Sequence, residues 1–278
     1  MDRWILTGVC TSGLALAGWM VWRWHDLERI DHRAEEMPAG WPGVQRALRS
    51  MAVMANSGVI AGLLVGGLGG RLFMRIMAAT SDDRVHGTLT DADEPIGRVT
   101  IGGTVGLILF GGLFGGFLMM LLYRVLRPWL PAQAWKAGVL VGVISLGAFG
   151  GLSEMLNRDN KDFAILSPTP LAAFLVVVGA VFLGVVLVSV YERLDRGMAH
   201  LDHVSVGIVA FAPLLLTMLT GVGGPVLLLV TLVAAFGTNL VRWWTSSPIV
   251  ARAGRVVVGA SLVGAVAVAA SEIAAITT

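Results

Sequence analysis

The order of apolar and polar positions divides this chain into eight apolar stretches separated by short polar ones. The stretches are 4–22, 50–72, 99–122, 137–156, 171–191, 204–220, 225–241 and 255–274. A bilayer core about 30 Å thick needs roughly 20 apolar residues as helix. The sequence therefore predicts an all-α fold: a polytopic integral membrane bundle of about eight transmembrane helices, with 1–278 forming a single membrane domain. The sixth and seventh stretches are short and joined by Gly221, Val222, Gly223, Gly224 and Pro225, which read as a tight turn. A full or a re-entrant hairpin fits them, and either returns both outer ends to the same side.

The first stretch follows Met1-Asp2-Arg3 and contains Ala15-Leu16-Ala17, as a signal peptide with its cleavage site would. Its apolar run continues through Gly18, Trp19, Met20, Val21 and Trp22, which suits a retained helix better. Residues 23–37 read as a continuation of that helix, with Leu27, Ile30 and Ala34 on one face and charges on the others. An amphipathic connector on the membrane surface is the plainer expectation and a partner-docking helix the sharper one. The 37–43 run, with two prolines and two glycines around Trp41, ends it.

Of the 20 Lys and Arg residues, thirteen fall on one side of these spans and seven on the other. The positive-inside rule puts the richer side in the cytoplasm. The expected location is the plasma (inner) membrane, with both termini outside. Similar pentapeptides open the third and eighth spans at 98–102 and 255–259, but five residues with three matches are close to chance in so Val- and Gly-rich a chain.

Glycine is the expected packing device. The second span carries Gly58, Gly62, Gly66 and Gly70 at a strict spacing of four. The third carries Gly102 and Gly106, then Gly111, Gly112, Gly115 and Gly116; the fourth carries Gly138, Gly142, Gly147 and Gly151. Helices in lipid gain little from the hydrophobic effect on associating, and small residues let their backbones approach. Spans two to four are thus expected to form a tight inner bundle, by ordinary close packing or as a surface for sliding or oligomer formation.

Charge at membrane depth is costly and points to candidate sites. Arg49 to Arg71 is 22 residues and Arg98 to Arg124 is 26, or about 33 and 39 Å as helix. Both Arg71 and Arg98 then reach the outer boundary, with Arg75 one turn beyond Arg71. Glu154 and Glu272 come out a few ångströms inside it. The expectation is an outward cluster in which Arg71, Arg75 or Arg98 pairs with Glu154 or Glu272, as registry pairs or as a solute or ion site. Two outer loops sit above: one carries Asp91, Asp93 and Glu94, the other Asp159 and Asp162. Residues 88–90 and 96–100 are expected to pair as a short hairpin. The acidic loop fails the calcium-loop pattern, having Ile96 at its sixth position and Gly102 at its twelfth.

The remaining composition removes classes. Hydrophobic residues make up 56% of the chain and charged ones 14%, with a mean hydropathy of +0.79. Cys10 is the only cysteine, so a disulfide within the chain and a Cys-based metal site are excluded. All five histidines lie in predicted loops, which disfavours haem ligation, and His200 with His203 lacks a third ligand. No nucleotide-binding, H-E-x-x-H or G-x-S-x-G motif occurs. No metal or cofactor is expected. The net charge of +2 says little about partners. The lipid bilayer is one; a second copy or other membrane proteins are candidates, and nucleic acid is not. The leading expectation is a small permease, channel-like or solute-binding protein with an outward charged site. The competing class is a non-catalytic subunit or scaffold assembling with partners, and a lipid-headgroup-modifying enzyme comes third.

Overall fold

The computed structural model describes residues 3–29, 41–90, 95–96, 100–150, 165, 167–197 and 247–277, with seven isolated positions between 212 and 229. Among these the chain is an all-α bundle, and its only extended pairings are two isolated antiparallel bridges. Five helices are long and apolar enough to cross a membrane: Ile5–Arg23, Val44–Thr80, Ile101–Trp129, Thr169–Gly197 and Pro248–Ala275. A shorter apolar helix spans Ala134–Ala148. Apart from those isolated positions, the sixth and seventh predicted spans lie outside the described residues, as do Arg98, Asp91, Asp93, Glu94, Glu154, Asp159 and Asp162.

Helix α1 (Arg3–Arg23) is followed by α2 (Trp41–Ala61), a π-helical segment (Gly62–Gly69) and α3 (Gly70–Thr80) in one unbroken rod. The third span has the same make-up: α4 (Ile101–Gly106), a second π-helical segment (Leu107–Phe114), α5 (Gly115–Leu126) and a final 3-10 turn (Arg127–Trp129). Helices α6 (Ala134–Gly150), α7 (Thr169–Gly197) and α8 (Pro248–Thr277) complete the described bundle. Thr100 starts α4 as an N-cap, its hydroxyl accepting from the Gly103 amide at 3.0 Å.

The core lies among α2, α5, α6 and α7, where Val53, Met120, Tyr123, Val141, Leu187 and Tyr191 are buried. A second cluster of Met77, Ala78, Ile96 and Ala172 closes the end of the bundle at which α3 stops. There Ser81 ties the loop after α3 to the start of α7: its hydroxyl donates to the Ser167 carbonyl at 3.1 Å and accepts from the Ser167 amide at 2.9 Å. Helices α1 and α8 leave apolar side chains such as Ile5, Val256 and Val263 exposed, as helices facing lipid do.

Glycine contacts follow the π-helical segments. An added methyl at Gly62 would lie 2.6 Å from the Gly112 carbonyl carbon, and one at Gly58 would lie 3.3 Å from the Gly116 carbonyl. The wider π turn then breaks the four-residue stripe: Gly66 is half-buried, whereas Gly67 is the buried one. Gly70 meets the Leu107 side chain, and Gly106 faces open space. Thus Gly112 and Gly116 meet the second span, while a methyl at Gly115 would instead meet its own helix at the Phe110 carbonyl. The fourth span packs into the same core, but its described glycines do not face spans two and three. Gly138 and Gly142 face α7 at Gly184, Val185, Ala180 and Val181, and Gly147 faces Ala265 of α8.

One local expectation is corrected. The first helix ends at Arg23 and does not continue through 24–29; residues 30–37 lie outside the described residues. Residues 27–29 are extended instead: Glu28 bridges Gln133, the Arg29 amide donates to the Ala132 carbonyl at 2.7 Å, and the Ala134 amide donates to the Leu27 carbonyl at 3.0 Å. Backbone pairing with a distant loop replaces local helix bonds, and the Leu27 periodicity carries no sign of that partner. Of the other expected pairing, between 88–90 and 96–100, residues 97–99 lie outside the described residues. Leu89 bridges Pro95, and the Ile96 amide donates to the Thr88 carbonyl at 2.9 Å.

Candidate functional site

Arg71 follows the first π-helical segment by one residue past its last turn and is half-buried. Its Nη2 donates to Thr104 Oγ1 at 2.5 Å and to the Thr100 carbonyl at 3.4 Å. Thr104 Oγ1 itself donates to the Thr100 carbonyl at 2.7 Å. The guanidinium is thereby held against the first turn of the third span. Arg71 and Arg75 both lie within electrostatic reach of the Cys10 thiol, so two positive charges gather at this end of α1.

Next to Arg71 is a cavity of about 200 Å³. Helix α1 contributes Leu6 and Cys10 to its wall. The first π-helical segment contributes Leu63, Leu64, Gly67 and Leu68. The third span adds Thr104 and Ile108. Arg71 is the one formally charged residue in this lining, but the surface turned to the cavity is almost wholly apolar, so Arg71 and Thr104 line it chiefly with their carbon atoms. Leu63 is 38% exposed, so among the described residues the cavity meets the bundle perimeter there. Gly67 helps to keep the space open. An added methyl would sit 3.7 Å from Ile108 Cγ1, an ordinary contact, so a side chain is sterically allowed where none is present.

This arrangement suits recognition. A guanidinium presents a fork of donors matched to carboxylate or phosphate oxygens. Pockets for small molecules are mostly apolar, with a few polar groups that fix orientation. The two π-helical segments meet at the cavity, and such segments are frequent at functional sites.

A second polar assembly occupies the opposite end of the same helices. Glu192 is fully buried on α7, and Arg127 is 6% exposed at the end of the third span. Arg127 Nε donates to Glu192 Oε1 at 3.0 Å and its Nη2 to Oε2 at 3.2 Å. The same Nη2 reaches Asp195 Oδ2 at 3.3 Å. Tyr123 donates its phenolic hydrogen to Glu192 Oε1 at 2.5 Å. The guanidinium also stands 5.2 Å from the centre of the Tyr191 ring, which meets Tyr123 edge to face. Further arginines bind the ends of these helices through carbonyls. Arg49 donates to the Asp195 carbonyl at 3.1 Å, Arg29 to those of Arg127 and Leu130, and Arg196 to that of Glu28. Cations at exposed helix C-termini are favourable because carbonyls there point outward.

The structure brings Arg71 to Thr100 and Thr104 of the third span. Arg75 lies one turn further along α3, and Glu272 is half-buried on α8, which packs on α6 and α7. Sequence reasoning placed Arg127 and Glu192 in flanking loops and missed their pairing. The available signal was Tyr123 and Arg127 at spacing four, facing Glu192 and Asp195 at spacing three, at two span ends on the same side. Cys10 and Thr104 were missed as pocket residues because neither is unusual in an apolar helix. Among the described residues, no group of three or more His, Cys, Asp and Glu is placed to hold a metal ion.

Comparisons with protein-family models, with curated proteins and with solved structures found no match to this chain.

Proposed function

We propose that this chain is a small solute-binding membrane protein of permease type, with an outward-facing site centred on Arg71. The carrying observation is the cavity beside Arg71, built where the two π-helical segments meet. In this reading the bundle has eight spans in the plasma (inner) membrane. The Arg127 end, with most of the Lys and Arg, is cytoplasmic. The glycine contact between the second and third spans is the surface along which the pocket opens. Gly62 against Gly112 allows close backbone approach, and the loose lining around Gly67 leaves room for movement.

The test uses the chain's single cysteine. Cys10 lines the cavity and is fully buried, so it reacts with a charged thiol reagent only if the pocket opens to water. A membrane-impermeant methanethiosulfonate is applied to right-side-out and inside-out vesicles carrying the full chain. Modification is expected from the outer face and at least tenfold slower from the inner one. Gly67→Leu, which fills the cavity, is expected to slow it comparably. Full labelling after denaturation, with none from either face before it, would sink the proposal.

A further inference from the structure

We infer that the cavity holds one hydrocarbon chain of a membrane phospholipid, which enters from the side between α1 and the third span. The inference rests on the reading of this cavity as the protein's binding site and gives it an apolar ligand that arrives through the lipid. The lining sets the class. The surface turned to the cavity is almost wholly apolar, and the polar atoms of Arg71 and Thr104 are turned toward each other and toward the Thr100 carbonyl. Water in a cavity needs two to four polar partners, and an apolar cavity stays dry and takes up apolar guests instead. A sugar, an amino acid or an inorganic ion would give up its hydration with nothing to replace it, which is costly. A saturated chain gives up nothing. It leaves one apolar medium for another and gains the dispersion contacts that an empty space leaves unmade.

The placement of the cavity provides the way in. Helix α1 and the third span both lie against the first π-helical segment and scarcely touch one another, so the second span floors a cleft between them. On α1, Ile5 and Val9 adjoin the wall residues Leu6 and Cys10 and are exposed. On the third span, Val105 and Leu109 stand in the same relation to Thr104 and Ile108. Among the described residues the rim is therefore apolar and turned to the lipid, and Leu63 is at once wall and perimeter. Leu63, Gly67 and Arg71 succeed one another along the second span, so the cleft runs lengthwise along a membrane-crossing helix. Lipid chains in a leaflet run the same way. Gly67 leaves the floor without a side chain where a methyl would make only an ordinary contact, 3.7 Å from Ile108 Cγ1.

The experiment places the full chain in nanodiscs of phosphatidylcholine that carries a diazirine midway along one acyl chain. After photolysis, adducts are mapped by mass spectrometry. They are expected on the fully buried Cys10 and on the half-buried Leu64 and Leu68, as well as on lipid-facing residues such as Val256 and Val263 of α8. Gly67→Leu, which fills the cleft, lowers the Cys10 and Leu68 adducts at least tenfold and leaves those on α8 unchanged, which also reports that the variant is folded. Gly67→Ala, whose methyl the structure accommodates, lowers them by less. Adducts confined to exposed residues in the wild type overturn the inference, as do equal Cys10 and Leu68 adducts in wild type and a folded Gly67→Leu. If the charged thiol reagent reaches Cys10 from the outer face while the cleft yields no lipid adduct, the inference falls and the pocket reading stands. Adducts as expected, with Cys10 never reached by that reagent, leave the lipid chain in place and remove the aqueous opening.

Discussion

Removing Glu192 while keeping Arg127 should be among the most damaging single changes in this protein. Glu192 has no exposed surface and accepts from three donors: Tyr123 Oη, Arg127 Nε and Arg127 Nη2. Glu192→Leu leaves a buried guanidinium with only the 3.3 Å contact to Asp195 as its carboxylate partner in this network. Breaking a buried pair from one side costs about 3–5 kcal/mol. Arg127→Met should cost about the same, because it removes the guanidinium that offsets a buried carboxylate. The double variant removes both charges and substitutes apolar volume. Its remaining penalty is the orphaned Tyr123 hydroxyl and the less well matched Asp195, together about 2–4 kcal/mol. The coupling between the two sites is therefore about 5 kcal/mol, above the usual range for neighbouring residues. Reversible unfolding in mixed micelles, followed by tryptophan fluorescence, measures all four corners of the cycle. Single variants within about 1 kcal/mol of wild type, or effects that add to within about 0.5 kcal/mol, would refute the assignment of this network as the buried tie between the third and fifth spans.

Two further expectations concern glycine. Gly62→Ala forces a methyl into the Gly112 backbone and should cost about 1–3 kcal/mol, whereas Gly106→Ala meets open space and should be neutral or stabilise by up to about 1 kcal/mol. Thermal unfolding of the two variants side by side checks the pair, and equal midpoints would contradict the close approach. Gly87 holds φ at +89°, so Gly87→Ala should cost about 1 kcal/mol or more of local stability. Faster hydrogen exchange at the Ile96 amide, which donates to the Thr88 carbonyl, is the expected readout; an unchanged rate would show that the turn does not depend on that conformation.

The membrane character was legible because hydropathy sums over many residues, and tertiary detail scarcely alters the total. The second span's extension beyond Arg71 was legible for the same reason: the run from Leu72 to Met77 is apolar around Arg75, and α3 continues to Thr80. Local periodicity failed where a distant partner decided the outcome. Leu27 has helical spacing with Ile30 and Ala34, yet backbone pairing at Gln133 draws residues 27–29 into an extended segment. The glycine stripe failed one turn at a time. A spacing of four assumes α-helical phase, and the π-helical segment from Gly62 shifts that phase, so the buried position becomes Gly67 rather than Gly66. The charges were misjudged for a related reason. Depth along one helix can be counted from the sequence, and depth places Arg71 at a boundary; its hydroxyl partner Thr104 depends on how the third span crosses the second. Arg127 and Glu192 sat outside the apolar windows and so read as loop charges, although the helices run on past those windows and bury both.

The two ends of the bundle use their charges in opposite ways, and this bears on where movement is possible. At the Arg127 end, one guanidinium is matched to two carboxylates and one tyrosine ring, and arginine-to-carbonyl bonds join α2, α7, the segment after α1 and the end of the third span. Any sliding of one helix there breaks several bonds to buried groups at once, each expensive to leave unmade. At the Arg71 end the second and third spans touch through the glycine contacts at Gly58 and Gly62, through leucine at Gly70 and Leu107, and through the arginine–threonine contact. Glycine contacts have no side chains to interlock. On the pocket reading, a rearrangement of α1 and α3 about a fixed Arg127 end has to break the Arg71 hydrogen bonds to Thr100 and Thr104.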